Sequence, residues 1–426
     1  MSLRKTLGRS RPLRTLVAVA TTGALLTALA ACSGSAGSRS TSGDGKGVVT
    51  FMSWDALDTM KPLVTEFEKE NPGITIQMSY VPPVDPYANA RQKELQSGTA
   101  PDVFILGNRE EEAGGGFVKD LSNIAAAKVV SDFNKQAESY KGKLYGISVV
   151  SWGGGFLVNK DLTSKAGVTT APQSWGELLT DLKRIKATGV TPLIEAGDGI
   201  STTLMGLIGL AAHNDGTDFE TDIANGKSTF AKDWTQPLAT WSQLYTEGLA
   251  SKNDAAVTGS QMTDEFNAGR AAMIATGSWA VAPARAALGA KANLDFWPIP
   301  GTTSGQNFWA GAAAPAYAIN SKAKNPVGAE KWVDFLASAK GVEIYHKTTG
   351  SITTTNNYTP DLDPAMTNMY KDVVAGKIYC TWQTWPDANS SALDAEFLGK
   401  YQETMLGQSN AAGVTAALDQ KWASLK

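Results

Sequence analysis

The chain has 426 residues, with 38 Lys and Arg against 41 Asp and Glu and a formal net charge of −3. Only two His and two Cys are present, and no HExxH, paired CxxC or GxSxG occurs. A metal site, a Ser-His-Asp triad and a disulfide framework are therefore not expected, no catalytic residue or cofactor is assigned, and the acidic balance argues against nucleic acid as a partner.

The first predicted element is a leader. Arg4, Lys5, Arg9, Arg11 and Arg14 precede an apolar run over residues 16–31, which is too short and too interrupted by Thr and Gly for a membrane span and predicts an export signal over 1–31. Its end, Leu29-Ala30-Ala31-Cys32, resembles the bacterial lipobox, in which the cysteine is acylated and the peptide before it removed. The alternative is an ordinary signal peptide with an incidental cysteine. Both place the protein outside the cytoplasmic membrane, and the first tethers it to the bilayer through Cys32. Cleavage removes five of the basic residues and no acidic one, taking the net charge from −3 to −8. Residues 32–47 are rich in Gly, Ser and Thr and predict a flexible tether. Cys380 is then left without a partner in the chain and is expected to act as a buried small hydrophobe.

Beyond the tether, residues 48–52 predict a strand. Leu57, Met60, Leu63, Val64 and Phe67 then recur at helical spacing until Asn71-Pro72-Gly73. Ile74, Ile76 and Met78 alternate as a strand, residues 87–97 predict a helix, and residues 101–106 predict a buried strand. This β-α-β-α-β order indicates an α/β sheet with helices on both faces. Apolar runs at 147–150 and 156–158 follow, and Ser174 and Glu177 have capping-box spacing ahead of Leu178, Leu182 and Ile185. A strand at 191–194 leads to helices at 202–212 and around Trp234–Tyr245. A short helix with Met262 and Phe266 then precedes a strand at 271–275. Residues 314–319 predict a further strand, Asn325-Pro326 starts a helix with Ala329, Trp332, Val333 and Leu336 buried, and the chain from 364 onward is expected to be mainly helical. No short-period repeat is present. Two α/β lobes are the economical architecture.

Several stretches then resemble the extracellular solute-binding proteins of ABC importers, in the carbohydrate-binding family that includes maltodextrin-binding protein. They include Val49-Thr50-Phe51-Met52-Ser53-Trp54, Phe67-Glu68-Lys69-Glu70-Asn71-Pro72-Gly73-Ile74, Gly98-Thr99-Ala100-Pro101-Asp102-Val103-Phe104, Lys143-Leu144-Tyr145-Gly146, Pro172-Gln173-Ser174-Trp175-Gly176-Glu177-Leu178 and Phe266-Asn267-Ala268-Gly269-Arg270-Ala271-Ala272-Met273. They occur in the family's order over nearly the whole mature chain. The resemblance implies a two-lobed periplasmic-binding-protein-like α/β fold with a hinge between lobes, built from 48–151 and 313–352 in one lobe and 152–312 and 353–426 in the other. It also implies a monomeric receptor that performs no chemistry and passes a carbohydrate to the transmembrane subunits of an ABC permease. Gly153-Gly154-Gly155 suits either a hinge or close backbone packing, since both use the missing Cβ.

A sugar presents C–H faces to aromatic plates and hydroxyls to planar polar groups. Of the 12 Trp, Trp175, Trp241 and Trp332 lie on apolar helix sides and are expected in the core. Trp54, Trp152, Trp279, Trp309, Trp382 and Trp385 lie at strand-to-helix turns or in polar loops, where an α/β sheet presents ligands. Trp279 is the leading aromatic platform, because it ends a strand and matches a sugar-stacking position of the resembled family. Asn108, Arg109 and Glu110 follow the 101–106 strand where relatives place an Asp-Arg pair, with Asn replacing Asp. Asp55, Glu195 and Asp198 are further polar candidates, and Gly311 and Gly350 are places where backbone can approach a ligand. A secreted glycoside hydrolase would share these tryptophans and carboxylates but needs two carboxyl groups about 5–9.5 Å apart across the bond. A receptor for a polyol, nucleoside or other polar solute uses the same cleft.

Overall fold

The computed structural model describes residues 43–81, 84–385 and 390–426. The leader, Cys32 and the tether up to residue 42 lie outside the described residues. No helix among the described residues is long and apolar enough to cross a membrane.

Two sheets organise the chain. In the five-stranded sheet, Gly47–Ser53 lies between Ile74–Tyr80 and Val103–Ile105, parallel to both. Ala316–Ile319 and Ile147–Ser148 extend it in antiparallel pairing. The strands carry Val49, Phe51, Phe104 and Tyr317 into a core with Phe67, Trp332 and Phe335, and Met60, Leu63 and Phe67 form the buried side of the Leu57–Glu70 helix. The second sheet runs Ile299–Pro300, Asn307–Ala313, Val150–Asn159, Ala271–Gly277 and Thr191–Ile194. Its helices bury Trp234, Trp241, Phe397 and Tyr401 on one side, while Phe296, Trp309 and Met369 fill a separate cluster. Each lobe thus has its own apolar interior, as separate folding of discontinuous segments requires.

The chain changes sheets at Val149, at Ala314-Pro315 and at Gly350-Ser351, after which Ile352–Thr353 pairs with the Val150–Asn159 strand. Buried Asn134 stitches these crossings together. Its amide donates to Ser148 O at 3.0 Å, Val150 O at 3.2 Å and Thr354 Oγ1 at 2.8 Å, and its oxygen accepts from Ser151 Oγ at 3.1 Å.

At Gly153-Gly154-Gly155 the missing side chains make room for close packing. All three sit inside the Val150–Asn159 strand, held by neighbours on both sides. A Cβ on Gly153 would lie 2.6 Å from Val373 Cγ2, and one on Gly155 would lie 2.4 Å from Trp297 O. The end of the expected tether is also ordered. Lys331 Nζ donates to Asp44 O at 2.7 Å, Asn325 Nδ2 donates to Gly45 O at 2.8 Å, and Gly47 joins the first strand. Asn325 simultaneously caps the Pro326–Leu336 helix through Gly328 N–H, so one side chain fixes both the helix start and the chain entry. At Trp175–Ala187, Ser174 accepts from Glu177 N–H, but the Glu177 carboxylate takes Gln173 N–H at 2.7 Å instead of closing a capping box. The reciprocal box forms at Thr258 and Gln261.

Candidate functional site

A cleft of about 1220 Å³ opens between the lobes. Its walls are the turns that follow the carboxyl ends of Gly47–Ser53, Val103–Ile105, Thr191–Ile194 and Ala271–Gly277, joined by residues 382–385. This is where an α/β sheet leaves main-chain groups unpaired and available to a ligand. Of the sequence candidates, Trp54, Asn108, Arg109, Glu110, Trp152, Asp198, Trp279, Trp382 and Trp385 line it, as does Gly350.

Trp279 is 57 % exposed on a short 3-10 turn, Ser278–Ala280. Its ring lies back over Gly277, where a Cβ would come within 2.1 Å of Trp279 Cζ3. The missing side chain is what lets the indole take this pose. Trp152 meets it edge to face at 5.2 Å and 64°, so the two rings form an aromatic corner rather than a flat stack. Trp382 is 46 % exposed. Trp54 is half-buried and rests edge to face on Tyr87 at 5.2 Å, and Tyr87 is anchored by Ile105 N–H donating to its hydroxyl at 2.7 Å. Trp385 is wall rather than platform. It is 7 % exposed, packs against Trp234, Phe230 and Phe397, and donates Nε1–H to Asp394 at 3.3 Å.

The loop at 107–110 is shaped from beneath. Arg91 and Glu112 form a nearly buried ion pair at 2.7 Å, and Glu112 also accepts Gly107 N–H at 3.2 Å. A Cβ on Gly107 would fall 1.8 Å from Arg91 Nη2, so the guanidinium occupies the space that a side chain would need. Asn108 caps the Arg109–Gly114 helix, accepting Glu111 N–H at 3.0 Å. The Arg109 guanidinium donates to the carbonyls of Ala137 and Gln383, the latter at 2.9 Å. Glu110 accepts from Tyr140 at 3.4 Å. Across the cleft Asp198 accepts Gly259 N–H at 3.0 and 3.1 Å, at the start of the Gly259–Asn267 helix.

Four candidates fall outside the cleft. Trp309 is 2 % exposed in the second lobe's interior and donates to Asp372 at 3.0 Å. Glu195 is fully buried and accepts from Trp241 Nε1 at 2.7 Å and Tyr245 at 2.8 Å, with burial raising its pKa above the usual carboxylate range. Gly311 packs strand on strand, with Trp152 O 2.4 Å from where a Cβ would stand. Asp55 accepts from Tyr345 at 3.1 Å, and burial pushes its carboxyl up to about 6. Trp309, Glu195 and Asp55 each pair with one of the protein's own polar groups, as buried polar side chains generally do.

Further residues line the cleft beyond those the sequence marks. Glu138 and Gln383 line the cleft from opposite lobes, and burial pushes the Glu138 carboxyl up to about 7 against the opposing pull of Arg109. Ser201 and Thr202 face it from the start of the Thr202–Asp215 helix, where Ser201 accepts Leu204 N–H. The N-cap type ahead of an apolar run was the available signal for Ser201; nothing local marks Gln383. No group of three His, Cys, Asp or Glu among the described residues is placed to hold a metal. The site therefore offers aromatic faces, amides, hydroxyls and carboxylates, a set suited to non-covalent capture of a polar solute with apolar faces.

Residues 53–343 match the family model of bacterial extracellular solute-binding proteins. The multiple sugar-binding protein of Streptococcus mutans is 27% identical over 343 residues, covering 76% of this chain and 78% of that one. A maltooligosaccharide ABC transporter solute-binding lipoprotein of Streptococcus pneumoniae is 24% identical over 274 residues, 60% of each chain. The structure of a family 1 extracellular solute-binding protein from Bifidobacterium longum subsp. infantis superimposes with a TM-score of 0.76 at 27% identity, covering 89% of this chain and 100% of that one.

Proposed function

Because this chain belongs to the bacterial extracellular solute-binding protein family, we propose that it is a lipid-anchored receptor that captures a carbohydrate between its lobes and delivers it to an ABC permease. The observation that carries the reading is the exposed Trp279 set at an angle to Trp152 inside a cleft rimmed by Asn108, Asp198 and Ser201. An indole face stacks on the C–H face of a pyranose while amide, carboxylate and hydroxyl groups take its hydroxyls. The sugar-binding relatives support the substrate class.

In this reading the lobes close over the solute, the protein acts as a monomer without cofactor, and Cys32 carries the acyl anchor that holds it at the outer face of the membrane. Its carboxylates bind and do not cleave. Glu110, Glu138 and Asp198 each accept a hydrogen bond from the protein itself, which holds them in place as acceptors. A thermal-shift screen of residues 33–426 against a glycan library tests the proposal. A saccharide well above its Kd raises the melting temperature, since a native-state ligand at a hundred times Kd adds about 2.7 kcal/mol. A library without a single hit, or steady release of shorter sugars from a hit, overturns it.

A further inference from the structure

We propose that this cleft is selective by charge: it accepts uncharged saccharides and rejects those carrying a carboxylate or phosphate, an inference that rests on the carbohydrate-receptor reading. Among the described residues that line the cleft, the acidic ones are Glu110, Glu138, Asp198, Asp264 and Asp394, and the only cations are Arg91 and Arg109.

Both guanidiniums are already engaged by the protein. Arg91 is held by Glu112 at 2.7 Å, with side chains only 11% and 5% exposed. Arg109 is turned onto the carbonyls of Ala137 and Gln383. An anionic sugar entering here would have to compete with Glu112 for Arg91 and with two main-chain carbonyls for Arg109, and an ionised group left without full compensation in a partly desolvated site is costly.

Helix starts are the other common anion sites, and here the protein's own side chains occupy part of each. Asp198 sits on Gly259 N–H at the start of Gly259–Asn267, where a ligand carboxylate would otherwise bind. Thr258 caps the same helix through Gln261 N–H. At Thr202–Asp215, Ser201 accepts Leu204 N–H and Thr202 donates to Gly155 O. The surplus of lining carboxylates then repels a further negative charge, whereas aromatic faces and hydrogen-bonding groups remain open to a neutral sugar.

The test is an affinity screen of the mature chain at low and high salt. It compares a library of short neutral oligosaccharides with the same sugars oxidised at the primary hydroxyl to uronates, and with their 6-amino counterparts. The uronate of the best neutral binder should bind about ten- to a hundredfold more weakly, and added salt should narrow the gap. The 6-amino form controls for the lost hydroxyl and should bind within a few-fold of the neutral sugar or more tightly. Asp198→Asn combined with Asp264→Asn should shrink the uronate penalty. A uronate that binds as well as its parent overturns the inference while the receptor reading stands, and so does an equal loss in both charged forms. Failure of all three libraries removes the receptor reading and the inference with it.

Discussion

The side-chain amide of Gln383, on the second lobe, donates to the carboxylate of Glu138, on the first, at 3.2 Å. The same amide reaches Ala313 O at 3.0 Å, beside a chain crossing, and the Gln383 carbonyl accepts from Arg109 at 2.9 Å. One residue of the cleft wall thus ties the two lobes together. Gln383→Ala removes the side-chain bonds, each contributing about 0.5–1.5 kcal/mol. The ligand-free protein should then shift toward an open form, with a larger radius of gyration by small-angle scattering. Saccharide affinity should fall about three- to tenfold, because binding must supply more of the closure. An unchanged radius in both states would mean that this contact does not hold the lobes.

Trp279→Ala should weaken saccharide binding by about 1–4 kcal/mol, roughly ten- to a thousandfold, in calorimetry, while the urea midpoint moves little because the ring is largely exposed. Gly277→Ala should reproduce part of that loss with Trp279 still present, since the new methyl evicts the indole from its seat. Trp385→Ala should give the opposite signature, costing about 3–5 kcal/mol of stability through the cavity left beside Trp234 and Phe397. A Trp279 variant that is destabilised yet binds normally would reassign the platform.

Stability should fall as pH rises from about 4 to 8. Burial raises Asp55 to about 6, Glu138 and Asp254 to about 7 and Glu220 to about 8 in the folded state. The native chain then holds more protons than the unfolded one across this window, so the stability they contribute is full below the ordinary carboxylate pKa and is lost as pH passes the raised values. Asp363 acts in the opposite sense. Arg285, hydrogen-bonded to it at 2.8 Å, holds its carboxyl below the usual range, so that contribution disappears as pH drops beneath about 4. Urea midpoints should therefore peak in mildly acidic buffer, and Glu220→Gln should flatten the alkaline limb by an amount on the order of a few kcal/mol. A midpoint that climbs from pH 5 to 8 would contradict this balance.

Cys32→Ala should either release the protein from the membrane fraction or leave its leader uncleaved, with saccharide affinity unchanged. Fractionation and mass spectrometry distinguish these outcomes, and a variant still carrying lipid would place the anchor elsewhere. The basis is the Leu29-Ala30-Ala31-Cys32 sequence at the end of the leader.

Alternation of apolar runs with helical periodicity was enough to mark the α/β order. The carboxyl ends of the Gly47–Ser53, Val103–Ile105 and Ala271–Gly277 strands were legible too, and with them Trp54, Asn108 and Trp279 at the cleft, because strand ends of such sheets gather at one edge. Local pattern tells which side of an element is apolar. It does not tell whether a polar-flanked side chain such as Trp309 or Glu195 faces solvent or finds a buried partner far along the chain, and both found one, in Asp372 and in Trp241 with Tyr245. Nor does the Gly153-Gly154-Gly155 triplet by itself say that Val373 and Trp297 fill the space beside it. Gln383 meets Glu138 across 245 residues of sequence. That contact exists only because two separately built cores bring three chain crossings together, and no spacing within either segment records it.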